Sequence, residues 1–367
     1  MGKIISFLVI IIFIFACRKD GMVNPYPYAF DTACKANDEV KPPKGFSLTQ
    51  LTQIEHKGGF HKLHFFDDNI GFLYGHNTFG GYPAIFKTEN GGKSWTNLGI
   101  NISEIPISIA FKNKDLGFIS IHDSKGCPSN CQNRCLLMKT IDGGKTWQRN
   151  EYPTYKGQLT HIQFDEQGNL YAALSSYENS AQTVKMLKSV DNGQSWNLLY
   201  ESSELNFSYT TFSFLLRKEV LYISGKSGKI IKIDTKGNLL GTLETEQKSV
   251  FPLTIIDDNT YLMNSYNSLI KSIDGGKTWK QSTIKYIKIL DFESSDNGLV
   301  IMNEGYCGPY DYPNSIDVIA YTKNGGLSWV KSEEIRDVIN SFVGSYKMTD
   351  GRLIVVLGMK IFEIKEQ

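Results

Sequence analysis

The chain has 367 residues, 41% of them hydrophobic and 12% aromatic, which is enough for one large domain or two ordinary ones. Its 39 lysines and arginines balance 38 aspartates and glutamates, for a formal net charge of +1. A nucleic-acid partner is not expected, because such binding needs a positive surface that replaces phosphate counterions. The 33 glycines, 19 tyrosines and 21 phenylalanines favour short strands and tight turns over helices.

The first 17 residues are typical of a targeting segment. Lys3 precedes a run, Ile4–Phe15, in which every residue except Ser6 is apolar. This run is too short for a transmembrane helix and has the length of a signal-peptide core. It leads into Ile14-Phe15-Ala16-Cys17, which resembles the lipobox of bacterial lipoproteins. The resemblance implies that Cys17 is acylated and becomes the new N-terminus.

We therefore expect a lipid-anchored protein of the bacterial cell envelope, held at the outer membrane by Cys17. The alternative is an ordinary secretory signal that happens to end in a cysteine. The sequence then divides into a lipoprotein signal peptide (1–17), a linker (18–47) and a folded domain (48–367).

One eight-residue pattern, [ST]-x-[DN]-x-G-x-[ST]-W, recurs five times, and we call each copy a box. The boxes are Thr88–Trp95, Thr140–Trp147, Ser189–Trp196, Ser272–Trp279 and Thr322–Trp329. They start 52, 49, 83 and 50 residues apart. The interval of 83 residues fits two units, with a decayed copy at Ile233–Asn238. Such self-similarity predicts a repeat architecture.

Each box is typical of a hairpin turn, because Asp or Asn followed by Gly supplies the positive-φ positions that join two antiparallel strands. The box resembles the Asp box, or BNR repeat, of sialidase-type β-propellers. In such propellers these residues shape a turn and do not catalyse. We expect the same of the acidic or amide side chains and the tryptophans here, which are Asn90, Trp95, Asp142, Trp147, Asp191, Trp196, Asp274, Trp279, Asn324 and Trp329.

The segments around the boxes supply four short strands per unit, so we expect an all-β fold with a single propeller. Dividing residues 48–367 into seven gives about 46 residues per blade, within the usual repeat range. The last unit lacks an outer strand, and Leu48–Ile54 is a spare one. Pairing Leu48–Ile54 with Ile361–Lys365 would close a seven-bladed ring and remove its open edges. Eight blades, or six with an irregular unit, are the alternatives.

A functional site is expected on the face opposite the boxes, where the loops between second and third strands lie. Three of these loops are long, in blades one, two and six: Gly75–Pro83, His122–Arg134 and Asn303–Asp317. The candidate ligand-binding residues are His76, Tyr82, Tyr306, Tyr310 and Tyr312. The candidate catalytic residues, should the site act on a glycoside, are Asp123, Glu304, Asp311 and His122.

Beyond Cys17 the chain has five cysteines, and outside the cytoplasm these favour disulfides. The disulfide candidates are Cys34, Cys127, Cys131, Cys135 and Cys307. Because five is odd, one thiol stays free or pairs between chains. The three-residue gaps between Cys127, Cys131 and Cys135 do not match common zinc sites, so no metal and no cofactor is expected.

The resemblance to sialidases does not extend to their substrate-binding arginines. Those enzymes carry the first arginine ahead of the first Asp box, and here no arginine lies between Arg18 and Thr88. The unit pattern, aromatic-x-Asp/Asn-x-x-x-Gly-Phe followed by a box, is similar to photosystem II assembly-factor-like propellers. That similarity implies a non-catalytic binding or assembly module, for which we expect an envelope protein or a glycan as the ligand. The alternative is a glycan-active enzyme, a glycoside hydrolase or a polysaccharide lyase.

Overall fold

The computed structural model describes residues 39–56, 59–75, 83–99, 105–122, 135–152, 154–178, 181–205, 213–225, 228–245, 250–265, 268–281, 287–307, 314–336 and 338–367. Within these residues the chain forms seven antiparallel sheets in chain order, which is a seven-bladed β-propeller. The predicted fold class and the count of seven blades are confirmed. No helix in the described segments is long and apolar enough to cross a membrane.

Each of the first five blades consists of four consecutive strands. Blades one to three contain β2 to β13, which are Lys62–Phe65, Gly71–Gly75, Ala84–Thr88, Thr96–Asn97, Ile105–Phe111, Gly117–His122, Leu136–Thr140, Gln148–Glu151, Gln158–Phe164, Leu170–Glu178, Ala181–Ser189 and Asn197–Ser202. Blades four and five contain β14 to β21, which are Ser213–Arg217, Val220–Ser224, Lys229–Asp234, Leu239–Glu244, Val250–Ile255, Tyr261–Ser265, Ser268–Ser272 and Lys280–Gln281.

Blade six has an additional short strand, and blade seven closes the ring. Blade six contains β22 to β26, which are Ile287–Phe292, Gly298–Cys307, Asn314–Thr322, Val330–Lys331 and Ile335–Arg336. A short helix, α1 (Val338–Ser341), leads into β27 to β29 of blade seven, which are Phe342–Lys347, Leu353–Leu357 and Lys360–Glu366. The outer strand of blade seven is β1 (Phe46–Gln53), which pairs antiparallel with β29, from Phe46 opposite Glu366 to Gln53 opposite Lys360. The predicted closure by the N-terminal strand is therefore confirmed.

Apolar side chains pack between neighbouring blades and form the core. Phe72 of blade one and Phe111 of blade two stack with ring centroids 4.3 Å apart, and Phe72 is fully buried. Burial of a phenylalanine of this kind contributes roughly 2–3 kcal/mol. The ring of Phe111 also covers Gly117, where an added Cβ would come within 2.5 Å of it. This contact explains why the repeat pairs an aromatic residue with a glycine six positions later.

The two faces of the disc are defined by the turns that lie on them. The boxes join the third and fourth strands, and they bond to the turn between the first and second strands of the same blade. Gly91 N donates to Asn69 O at 3.0 Å, and Gly143 N donates to Asp115 O at 2.9 Å. We call this face the lower face. The upper face carries the loops between second and third strands.

The box of blade two shows how each box is held. Thr140 Oγ1 donates to Asp142 Oδ1 at 2.8 Å and accepts from Gly144 N at 2.9 Å. Asp142 also accepts from the amide and the hydroxyl of Thr146, and Trp147 Nε1 donates to Gly144 O. These bonds lower the pKa of Asp142 to about 2, the hydroxyl of Thr146 contributing most. Both of its carboxylate oxygens are engaged inside the turn.

The structure differs from the sequence analysis at Asn303–Asp317, which the sequence predicts as a loop. The structure extends β23 to Cys307 and starts β24 at Asn314, so Glu304, Tyr306 and Asp317 lie in a long hairpin and not in a loop. A register shift between Asn303 and Gly305 accommodates the extra residue. Blade three has a similarly long hairpin, β11 with β12, which the sequence analysis does not predict.

Candidate functional site

Most of the predicted upper-face residues lie outside the described residues. These are His76, Tyr82, Asp123, Tyr310, Asp311 and Tyr312, together with Cys17, Cys34, Cys127 and Cys131. For Cys307 the structure describes the backbone at the end of β23 and not the side chain. Their grouping on one side of the upper face stays a prediction.

Three predicted site residues can be placed. His122 is the last residue of β7, at the upper end of blade two. Glu304 and Tyr306 lie in β23 of blade six. Glu304 Oε1 lies 2.9 Å from Lys331 Nζ, so this carboxylate is held in an ion pair. As described, Glu304 is therefore better placed to fix the blade-six hairpin than to act as an acid.

Cys135 differs from its expected role. It is a buried, free thiol in the described structure, and burial raises its pKa to about 12. Such a thiol is a poor nucleophile, because the thiolate is the reactive form. Cys135 is therefore not in a disulfide, and the pairing of the other candidates stays a prediction.

Asp317 carries a carboxylate that the structure buries completely. It accepts hydrogen bonds from Ser315 Oγ at 2.7 Å, Ile339 N at 2.9 Å and Asn303 Nδ2 at 3.1 Å. Burial raises its pKa above the usual range, against the effect of these donors. Because Ile339 is in α1, Asp317 ties the connection between blades six and seven to the blade-six hairpin. Its contacts indicate a structural role.

The first strands of the blades surround the axis of the propeller and form a central channel. Neighbouring first strands are in contact, such as β2 with β27, β6 with β10, and β22 with β27. The fourth strands, by contrast, are largely exposed on the perimeter. Because each first strand runs from the upper to the lower face, its early residues line the upper half of the channel.

Basic side chains collect in the upper half of this channel. Leu63 and Phe65 of β2 belong to the core shared with blade seven, so Lys62 and His64 face the other way. Burial lowers the pKa of Lys62 below its usual value and that of His64 to about 4. His161 of β10 has its pKa lowered to about 3, by burial and then by the charge of Lys62. Lys62 of blade one and His161 of blade three therefore sense each other across the channel.

A cavity of about 600 Å³ follows the wall of blades five to seven. Its lining includes His61, Thr254, Lys288 and Phe342, together with the carboxylates of Asp291 and Glu293. Lys288 is exposed, and it lies in the upper half of β22. A cavity of this size with a few polar groups is typical of a ligand site.

The lower half of the channel wall has a different charge arrangement. Asp291 and Glu293 lie 3.1 and 2.6 Å from Lys347 Nζ, so these charges are paired within the protein. Among the described residues, no carboxylate lies within ion-pair distance of Lys62 or Lys288. The upper channel thus offers positive charge to a ligand, whereas the lower channel neutralises its own.

The sequence analysis misses Lys62, His64, His161 and Lys288. A signal for them exists, because polar residues at alternate positions of a first strand, as in Lys62-Leu63-His64-Phe65, indicate a face that lines the axis and not the core.

Within the residues that the structure covers, no group of three or more His, Cys, Asp or Glu side chains could hold a metal ion.

The fold is similar to several solved propellers. A structure described as YCF48 bound to D1 peptide has a TM-score of 0.61 at 13% identity, over 92% of this chain and 100% of that one. YCF48 from Cyanidioschyzon merolae gives 0.58 at 12% identity, over 86% and 98%. A streptogramin B lyase gives 0.53 at 11% identity, over 88% and 98%. These identities establish the fold alone. No family model matches the sequence, and no curated protein does.

Proposed function

We propose that this protein is a lipid-anchored envelope protein whose propeller binds a peptide segment of another envelope protein without catalysing a reaction. The observation that carries the proposal is the upper channel, where Lys62 and Lys288 have no carboxylate partner among the described residues. An extended segment with an acidic side chain or a free terminal carboxylate would supply the missing negative charge.

The energetics of Lys62 support a binding role. Removing a lysine from water without an ion-pair partner costs stability, and the lowered pKa of Lys62 expresses that cost. A carboxylate of a ligand bound beside Lys62 would offset this cost. The solved structure of YCF48 with a D1 peptide is a propeller of this fold that holds a peptide, which makes a peptide ligand a reasonable first choice.

The upper-face loops of blades one, two and six complete the proposed site. His122 and Tyr306 stand at the upper ends of β7 and β23, on the rim of the same face. We assign the ligand-binding candidates His76, Tyr82, Tyr310 and Tyr312 to this rim as well, as the sequence analysis expects. The lipobox-like segment ending at Cys17 would hold the protein at the outer membrane.

Binding to displayed peptides with free terminal carboxylates tests the proposal. The protein should enrich acidic or carboxylate-terminated peptides, and amidation or added salt should weaken them. Lys62→Met and Lys288→Ala should each reduce affinity by about tenfold, as expected for loss of a charge-assisted bond. Lys360→Ala, which removes an exposed lysine from the upper turn of blade seven, is the matched control and should bind normally.

Two results would overturn the proposal. One is enrichment that is the same for the wild-type protein and for the Lys62 and Lys288 variants. The other is the release of new reducing ends or unsaturated products from a panel of cell-wall, host and plant polysaccharides. The second result would favour the glycan-active enzyme, and Asp123, Glu304 and Asp311 would then be the first residues to replace.

A further inference from the structure

Large apolar side chains are exposed on the lower face of the propeller. Among the described residues there are eight, and every one lies in a box or at the lower end of a fourth strand: Ile141, Val190, Leu198, Leu239, Leu240, Ile273, Leu327 and Val330. They are distributed over blades two to six. Eight such side chains on one rim form a candidate contact surface.

The boxes show that the exposed aliphatic side chains are not needed to form the turn. In each box the first, third and seventh residues make the hydrogen bonds of the turn, and the tryptophan packs inwards. The second and sixth residues are exposed in all five boxes. These ten positions, which the turn leaves free, hold Ile141, Val190, Ile273 and Leu327, four lysines, one glutamate and one glutamine. Aliphatic and lysine side chains therefore predominate where the fold makes no demand.

The tips of the boxes are strongly exposed. Leu327 is 89% exposed, Ile141 72%, Val190 64% and Ile273 60%. Between blades five and six, Ile273 and Leu327 flank a groove of about 840 Å³ that also contains Trp329. Projecting aliphatic tips spread around a rim suit a deformable apolar layer, whereas a protein partner needs a contiguous patch.

The charges of the lower face fit the same surface. Several carboxylates of the inner turns are already paired, Asp258 with Lys218 at 2.9 Å and Asp350 with Arg352 at 2.6 Å. Asp142, Asp191 and Asp274 are engaged inside their boxes. The outward lysines Lys93 and Lys277 have no ion-pair partner among the described residues, whereas Lys145 interacts electrostatically with Glu89. Such lysines are attracted to an anionic lipid surface.

We infer that the lower rim of the propeller docks on the surface of a lipid bilayer, with Ile141, Val190, Ile273 and Leu327 in the interfacial layer and the lysines at the headgroups. The inference rests on the proposed envelope location and adds an orientation to it. The first described residues do not decide the orientation, since Lys41 pairs with Glu333 on the side of blade six. Docking of the lower rim turns the upper channel away from the membrane, towards a partner.

The five tryptophans provide the measurement, because all of them lie in boxes on the lower face. The acylated full chain is reconstituted into vesicles of phosphatidylethanolamine and phosphatidylglycerol that contain phospholipid brominated near the headgroup. Docking predicts quenching of tryptophan fluorescence by the brominated lipid and protection from iodide in the buffer. The triple variant Ile141→Ser, Ile273→Ser, Leu327→Ser should lose most of this quenching and still sediment with the vesicles. Lys360→Ser, on the upper face, should behave as the wild type does.

The outcomes separate this inference from the proposals on which it rests. Sedimentation with vesicles but no quenching would overturn the lower-rim inference and leave the anchor intact. Failure to sediment would overturn both. The lower-rim inference would also be overturned if the triple variant retained the quenching. Protection from iodide that appears only when a second protein is added would overturn it as well. Peptide binding in the channel is measured separately in solution, and its failure would not affect this result. The replaced side chains are exposed, so near-ultraviolet circular dichroism should show unchanged folding.

Discussion

Asp142 in a box of the lower face and Lys62 in the upper channel are charged side chains of one fold in opposite situations. Asp142 accepts every bond it needs from residues within four positions along the chain, and its pKa falls to about 2. Lys62 is partly withdrawn from water without a carboxylate partner in the described structure, and its pKa is lowered. The comparison shows where polar groups serve folding and where they remain available to a ligand.

The largest effect on stability is expected at Asp317, whose carboxylate is held by hydrogen bonds inside the protein, as the box carboxylates are. Asp317→Ala should reduce the free energy of unfolding by about 3 kcal/mol, because buried donors at Ser315 and Ile339 would lose their acceptor. Glu304→Ala, which breaks only the partly exposed pair with Lys331, should change it by about 0.5 kcal/mol or less. Urea unfolding of both variants checks this. Equal losses would mean that Asp317 is not a structural residue.

Within the boxes, Thr140→Val should cost about 2 kcal/mol, since the buried Gly144 amide loses its acceptor. Thr140→Ser is a control that the chain itself supplies, because Ser189 and Ser272 make the same bonds in blades three and five. The serine variant should unfold close to the wild type, and neither variant should alter peptide binding in the channel. A valine variant as stable as the serine variant would contradict this account of the box.

The channel histidines predict a pH dependence of stability. Their folded-state pKa values, about 4 for His64 and about 3 for His161, lie below the ordinary value of 6.5, so the unfolded chain binds protons first as the pH falls. The stability is therefore complete above pH 6.5 and decreases as the pH drops below it. We expect the two histidines together to cost on the order of 1–2 kcal/mol by about pH 6, and more as the pH falls further. Urea unfolding at several pH values should show that the free energy of unfolding depends less on pH in the His64→Gln, His161→Gln variant. The same pH dependence in the variant and the wild type would contradict the role given to these histidines.

The smallest effect has the opposite sign. Lys62→Met should raise the free energy of unfolding by about 1 kcal/mol, because a lysine without a partner leaves a site where its charge is poorly solvated. The same variant should lose peptide binding. Thermal unfolding and the peptide assay, carried out on the same Lys62→Met protein, should show higher stability together with weaker binding. A variant that is destabilised would indicate that Lys62 serves the fold.

Local patterns predicted much of the fold and little of the site. The eight-residue boxes define a turn with bonds between near neighbours, and the box at Thr140–Trp147 forms it as the pattern implies. The hairpin of blade six was wrongly predicted as a loop, because Gly305, Pro309 and Pro313 are typical of loops and the pairing of Asn303 with Asp317 is not visible locally. Most candidates on the long upper loops remain predictions.

The sequence pattern predicts the repeat and the closing strand and favours seven blades over six or eight, since each depends on short-range turn chemistry or on counting strands. Packing between blades brings Lys62 of blade one within electrostatic reach of His161 of blade three, although the two residues are far apart in the chain. It also decided which side chains are paired and which are not. Burial and charge pairing depend on contacts between blades, and closure of the ring creates those contacts.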